Sequence, residues 1–104
     1  AQREEIANTS ILIMTYKEID SERECVCFGC GRGDKPLSHS HTISRKKCKE
    51  IGKPELIYDK DNIELECFGD NHSCHYIWEH GTIEQKEKLL NFAKKMKYVR
   101  KYIN

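Results

Sequence analysis

Six cysteines in a chain of 104 residues constrain its fold more than any other feature. Cys27 and Cys30 form a C-x-x-C-G knuckle, in which two thiolates can bind one ion while the following glycine relieves the turn. Cys67 and Cys74 lie downstream and complete a set of four thiolates, although their spacer is longer than usual. The spacing favours a structural zinc site inside the cell, with a disulfide framework in a secreted domain as the alternative.

Other residues near this set leave alternatives open. His72 lies inside the second spacer and could replace one cysteine, while Cys25 and Cys48 are left over as free thiols or small buried side chains. Zinc would also explain how a chain that is 38% hydrophobic and 34% charged folds at all. A structural zinc site contributes folding free energy that so small a core does not supply.

Length and patterning predict a single α+β domain over residues 1–104, with no internal repeat and no membrane span. The expected elements are a helix over residues 3–20, strands over 37–45 and 63–67, and helical turns from Cys74 to His80. The first helix is predicted from the helix-compatible spacing of Ile6, Leu12, Ile13, Tyr16 and Ile19, although residues 11–15 form a β-branched run. The N-terminus has acidic residues where a signal peptide would be basic, so secretion is unsupported.

The end of the chain predicts one basic amphipathic helix. Thr82 and Gln85 fit a capping box, and the apolar positions after them follow helical spacing: Ile83, Leu89, Phe92, Ala93, Met96, Val99 and Ile103. Residues 82–104 carry seven Lys and Arg against two Asp and Glu, which suits either a polyanion-binding arm or a solvated helix face. The residues predicted to contact such a polyanion are Lys94, Lys95 and Lys97 on this helix, and Arg45, Lys46 and Lys47 as a phosphate clamp.

Between the cysteine pairs lie His41, then Asn62, then His75 directly after Cys74. Together with Cys27-x-x-Cys30-Gly31 and with Asn62 five residues before Cys67, this order resembles the HNH endonuclease family. The resemblance covers about residues 25–81. It implies a small zinc-bound ββα-metal, treble-clef-like core, with an N-terminal helix or extension (1–24) and a basic C-terminal helix (82–104).

The resemblance also implies roles for these residues. His41 would be the general base, because a neutral imidazole titrates near physiological pH. Asn62 would hold the loop that orients His41, and His75 would bind one divalent ion, Mg²⁺ or Mn²⁺. The sequence departs from the family pattern at Ser40, where the second metal ligand is usually Asp or His.

Other side chains near Ser40 offer substitutes for that ligand. His39 shares a strand face with His41 and could compensate or act as the base. Glu79, four residues after His75 on the same helix face, ranks above His80 as a replacement ligand.

These observations lead to two functional expectations. The first is a metal-dependent DNA endonuclease of bacterial or phage type, acting in the cytoplasm through backbone contacts, and working as a homodimer if it cuts both strands. The second is an inactive HNH-like zinc module that binds nucleic acid or protein.

Overall fold

The computed structural model describes the backbone of residues 2–103 and the side chains of residues 9–103. Its helices and strands, in chain order, are α1 (Gln2–Glu22), β1 (Leu37–His41), α2 (Arg45–Glu50), β2 (Ile63–Cys67), α3 (Cys74–His80), α4 (Ile83–Glu87) and α5 (Phe92–Tyr102). Two 3₁₀ turns, Pro54–Tyr58 and Lys60–Asn62, lead into β2. The α+β prediction is confirmed.

The two strands form an antiparallel hairpin whose two faces carry different chemistry. Leu37 lies opposite Cys67, and His41 lies opposite Ile63. Directly opposed residues point to the same face. One face therefore carries Leu37, His39, His41, Ile63, Leu65 and Cys67, and the other carries Ser38, Ser40, Glu64 and Glu66. The histidine face contacts α1, and the serine and glutamate face contacts α3 and α5.

Helix α1 packs on the histidine face through one narrow stripe. Leu12 and Ile19 are buried there, with Tyr16 half-buried between them. Ile13 is 48% exposed, because it lies beside this buried stripe and not on it. The side chain of Ile6 lies outside the described residues. None of the helices described between residues 2 and 103 has the length and apolar character needed to cross a membrane.

Strand β1 is shorter than predicted, because it ends at His41 and not at residue 45. The Ser44 side chain accepts a hydrogen bond from the Lys47 amide and caps α2. Arg45, Lys46 and Lys47 therefore form the first turn of a helix. A short helix so close to a strand turns the basic cluster back toward His41.

The predicted C-terminal helix is interrupted. The Thr82–Gln85 capping box is present and begins α4, but the chain leaves the helix after Glu87 and re-enters it at Phe92. In the gap, the Leu90 amide donates to the Gly29 carbonyl and Leu89 is buried against the cysteines. Helical continuity is lost because this stretch packs on the cysteine knuckle.

The interruption changes which residues of the last helix are buried. Ile83 is 58% exposed and Ala93 is exposed, so their predicted core positions are wrong. Lys95, predicted on the outer face, is 1% exposed. The core instead has two parts, one around the hairpin and α1 and one around Cys27, Cys67, Cys74 and Leu89.

Candidate functional site

Four cysteines from three separate segments converge on one point. The ligand atoms of Cys27, Cys30, Cys67 and Cys74 all lie within 4.8 Å of one another. Four thiolates around a zinc ion at about 2.3 Å stand roughly 3.8 Å apart, so this spacing suits one tetrahedral ion. Among the described residues, no other group of three or more His, Cys, Asp or Glu side chains is drawn together so tightly. The cluster could hold a metal ion such as zinc.

The backbone around this cluster is shaped for the thiols. Gly31 adopts φ +78°, which favours glycine, and a Cβ at Gly29 would stand 2.7 Å from the Cβ and Sγ of Cys74. Amides also point at sulfur, since the Cys67 N–H donates to Cys27 and the Cys74 N–H donates to Cys67. Such N–H groups stabilise thiolates.

Burial and these hydrogen bonds act in opposite directions on the thiols. Burial raises the pKa of Cys27, but the amides around it outweigh burial and lower that pKa below its ordinary value. Burial and the neighbouring cysteines raise the pKa of Cys74 far above the ordinary value. Four adjacent thiols cannot all ionise without a cation between them, so the chemistry of the set also fits a zinc ion.

The remaining cysteines and His72 lie apart from this group. Cys25 is exposed and Cys48 is buried, and all six cysteines are free thiols. The Cys48 thiol donates to the Ile43 carbonyl, so it behaves as a small buried side chain. His72 is exposed and does not join the cluster, so its predicted substitution for a cysteine is not needed.

His41, at the end of β1, is oriented by a backbone carbonyl. Its Nε2 lies 2.9 Å from the Ile57 oxygen, which can only accept, so Nε2 carries the proton and Nδ1 keeps its lone pair. Burial lowers the pKa of His41 and outweighs the effect of this hydrogen bond, while the nearby Arg45 lowers it further. His41 is therefore neutral at pH 7, with Nδ1 able to accept a proton.

Asn62 holds the backbone around His41. Its side chain accepts from the Ile43 amide at 2.7 Å and donates to the Ile43 carbonyl at 3.0 Å. It also donates to the Leu56 carbonyl at 3.0 Å, next to the Ile57 oxygen that orients His41. Asn62 is fully buried. Its hydrogen bonds join the loop after His41 to the 3₁₀ turn that supplies the Ile57 carbonyl.

His75 on α3 is held by a serine that sequence reasoning missed. The Ser38 hydroxyl donates its one proton to the Glu66 carbonyl, so it accepts from His75 Nδ1, 2.5 Å away. His75 Nε2 then faces Glu79 Oε1 at 2.8 Å, and these two atoms share either a proton or a cation. Neighbouring ligands of an octahedral Mg²⁺ stand about 3.0 Å apart, so this pair fits two positions of such an ion.

The other predicted ligands of a catalytic ion do not join this pair. Ser40 is fully buried, and its hydroxyl has no hydrogen-bond partner among the described residues, so it is not a ligand. His39 Nε2 is bonded to Asp20 on α1. His80 is exposed, 3.6 Å from the second Glu79 oxygen and close to Tyr76. Sequence reasoning missed Ser38, because it shares a strand face with Ser40 and only the position of α3 brings it to His75.

Two clefts meet at His41. The first, of about 320 Å³, is lined by Tyr16, His39, His41, Ser44, Arg45, His75 and Glu79. The second, of about 730 Å³, also contains His41, Ser44 and Glu79 and is flanked by Lys46, Lys47 and Lys86. Lys86 was missed by sequence reasoning, and it lies 5.4 Å from the Trp78 ring. Four cationic side chains thus line one or the other of the two clefts that contain His41.

The basic residues of α5 lie elsewhere. Lys94 and Lys97 line a third cleft, which contains neither His41 nor His75. Lys94 also pairs with Glu64 at 2.9 Å. Lys95 donates to Glu66 at 2.8 Å and lies 4.8 Å from the Trp78 ring. The prediction that Lys95 contacts DNA is wrong, because its ammonium is buried in an ion pair.

Comparison of the chain with protein-family models, with curated proteins and with solved structures finds no match. The site is therefore defined by its own geometry: a four-cysteine cluster and, on the same hairpin and α3, a histidine cleft rimmed by cations.

Proposed function

We propose that this protein is a metal-dependent DNA endonuclease of the HNH type, with a zinc-stabilised ββα-metal core. The proposal rests on one arrangement of residues. His41 and His75 line a single cleft, Asn62 holds the loop behind His41, and α3 begins at Cys74 of the cysteine cluster. The same three residue types in the same chain order led to the HNH resemblance, and their contacts support a distinct task for each.

His41 serves as the general base. Phosphodiester hydrolysis needs a group that takes a proton from water, and a neutral imidazole with a free ring nitrogen does this. The Ile57 carbonyl occupies Nε2, so Nδ1 accepts the proton. Asn62 acts indirectly as a positioning residue, because its hydrogen bonds join the Ile43 backbone to the turn that contains Ile57.

His75 and Glu79 would hold the divalent cation, Mg²⁺ or Mn²⁺. When bound there, the ion would stabilise negative charge on the phosphate. Ser38 keeps the proton on Nδ1 of His75 and so leaves Nε2 as a ligand atom. Two protein ligands suffice for such a cation, because Mg²⁺ commonly takes its remaining ligands from phosphate and water.

Arg45, Lys46, Lys47 and Lys86 would contact the phosphates on either side of the reacting one. They rim the two clefts that meet at His41, and a string of cations along a cleft suits a polyanionic backbone. Contacts of this kind position DNA without reading its sequence.

The direct test is plasmid cleavage by the zinc-loaded protein with Mg²⁺ or Mn²⁺. The parent protein should convert supercoiled plasmid, and His41→Ala should be at least about 100-fold slower, which is the usual effect of losing a general base. His72→Ala is the matched control, because His72 is exposed and lines neither His41 cleft. Equal cutting by the parent and His41→Ala would contradict the role of His41.

A noncatalytic zinc module that binds nucleic acid is the second candidate. Burial of Ser40 favours it, because the cation site is left with two protein ligands. In the same assay, DNA binding by the parent protein without any cleavage would support this module over the enzyme.

Cleavage of both strands would require two active sites, and we propose a homodimer on DNA for that case. Linear product that appears together with nicked product, at a rate that rises with the square of protein concentration, would support it. Nicked product alone would indicate a monomer.

A further inference from the structure

A second imidazole lies in the same cleft as His41 but is held differently. His39 Nε2 is 2.8 Å from Asp20 Oδ1, and its ring stacks on Tyr16 with centroids 4.0 Å apart and planes 6° from parallel. Among the described residues, its Nδ1 has no hydrogen-bond partner. The two contacts from α1 fix the ring and leave Nδ1 as the nitrogen that can exchange a proton.

The partners of the two histidines suit opposite tasks. His41 has an uncharged carbonyl at Nε2, and burial keeps the ring neutral. His39 has a carboxylate at Nε2 and an aromatic face beneath the ring, and both contacts accommodate a positive imidazolium. The residues are two positions apart on β1, so both side chains project from the same strand face into one cleft.

We propose that His39 is the general acid that protonates the leaving sugar oxygen, with Asp20 as its positioning residue. The inference rests on the proposed endonuclease function. As water adds to phosphorus, its proton passes to His41 Nδ1. The bond from phosphorus to the leaving oxygen breaks, and that oxygen takes the Nδ1 proton of His39. His41 then loses a proton to solvent and His39 regains one, so the cycle closes without a further reactant.

The surroundings of His39 contain groups of both signs. Tyr16 and Asp20 face it from α1, Arg45 lies at the start of α2, and His75 and Glu79 line the same cleft from α3. Arg45 stands where it can meet a phosphate oxygen. Asp20 is the one charged group in direct contact with the ring among the described residues.

The test uses DNA in which sulfur replaces the leaving oxygen of one phosphodiester. A thiolate leaves without protonation, so a general acid is needed for the oxygen substrate only. We expect His39→Gln to cut the oxygen substrate at least about 100-fold more slowly than the parent and the sulfur substrate within about threefold of the parent. Asp20→Asn should have a smaller effect: it should cut the oxygen substrate about tenfold more slowly than the parent. Its rate on the sulfur substrate should return to that of the parent.

Two controls separate this result from a folding defect. His72→Gln makes the same change at an exposed histidine outside the cleft and should match the parent on both substrates. Asp20→Asn changes a carboxylate whose side chain is 54% exposed, so it should fold even if His39→Gln does not.

Every outcome of this test either supports or overturns the proposal. Slower cleavage of the oxygen substrate alone, with a parental rate on the sulfur substrate, supports the acid role. Equal loss on both substrates overturns it in favour of a structural role, and parental rates on both overturn it as well. If the parent protein cuts neither substrate, the proposed function fails and the acid role fails with it, whereas normal cleavage by His39→Gln rejects the acid role alone.

Discussion

The cysteine cluster and the histidine cleft share the hairpin and α3, but they are built in opposite ways. Cys27, Cys67 and Cys74 are almost completely buried, and their sulfur atoms face one another. In the cleft, the side chains of His75 and Glu79 are 25% and 46% exposed, and His75 Nε2 lies 2.8 Å from Glu79 Oε1. We expect the first region to stabilise the fold, whereas the second leaves polar side chains accessible to a ligand.

The difference follows from the environment that each kind of side chain needs. A group that stabilises the fold must be removed from water, while a group that meets a substrate must remain reachable. The buried Lys95–Glu66 pair joins the regions, because Glu66 precedes Cys67 and Lys95 also reaches Thr42, next to His41. We expect damage to the cluster to reach the cleft, and damage to the cleft to stay local.

Removal of zinc should have the largest effect. Structural zinc contributes on the order of 10 kcal/mol to folding in small domains, so chelation or Cys67→Ser should unfold the protein. The measurement is far-UV circular dichroism with metal content verified on the same sample. Cys25→Ser alters an exposed cysteine outside the cluster and should leave the spectrum unchanged. A folded spectrum after verified zinc loss would contradict the scaffold role.

Breaking the buried ion pair should come next. Lys95→Met leaves the Glu66 carboxylate buried without its partner, which costs about 3–5 kcal/mol, measured by urea unfolding of zinc-loaded protein. Lys95→Met combined with Glu66→Leu should recover most of that loss. Lys97→Met removes an exposed ammonium that forms no ion pair with the described residues and should cost less than about 1 kcal/mol. Equal costs for Lys97→Met and Lys95→Met would contradict the burial of Lys95.

Substitution of the two serines of β1 should distinguish a serine that positions His75 from a serine that is only buried. Ser38→Ala should weaken Mn²⁺ binding by about 10–100-fold, because His75 loses the partner that holds its ring. Ser40→Ala should leave Mn²⁺ affinity unchanged, since its hydroxyl is buried and contacts no described polar group. Titration calorimetry with zinc-loaded protein measures both without relying on activity. Weaker binding in Ser40→Ala alone would restore Ser40 as the ligand.

The cationic rim of the cleft should contribute a smaller effect. Lys46→Ala with Lys47→Ala should weaken DNA binding roughly tenfold at moderate salt and lower the salt slope by about 2. Lys97→Ala with Lys101→Ala removes two charges from a cleft without His41 and should change both quantities less. Fluorescence anisotropy across a salt series measures them. Larger changes in affinity and salt slope for the Lys97 and Lys101 variant would indicate that DNA contacts α5.

The pH dependence of cleavage should give the smallest effect. Burial lowers the pKa of His41 below 6.5, so acid removes the base only below the range of an ordinary histidine. At pH 6.5 we therefore expect less than a twofold loss of kcat/KM relative to pH 7.5. An acid limb with its midpoint above 6.5 would contradict a buried neutral base.

Much of the local structure could be predicted from residue spacing. The C-x-x-C-G knuckle predicted the metal cluster, and the Thr82–Gln85 pair predicted a capping box, because both depend on residues close in sequence. Strand β2 was also predicted, since alternation of apolar and polar residues is a local signal.

Errors arose where distant segments meet. Lys95 was assigned to solvent because lysine at such a helical position is usually exposed, but Glu66 lies 29 residues away and pairs with it. The C-terminal helix was predicted as continuous, because nothing local indicates that residues 88–91 pack against Gly29. Ser38 was missed because only the position of α3 decides which serine meets His75.

Sequence alone thus specified the residue types and their order: four thiols at a spacing that suits zinc, and histidines and an asparagine in an order that resembles the HNH pattern. Tertiary structure decided which partner each group meets, and so which histidine nitrogen is free, which serine contacts His75 and which lysine is buried. The physical reason is that residue type sets what a side chain can bind, whereas burial and hydrogen bonds between distant segments set its proton and its orientation.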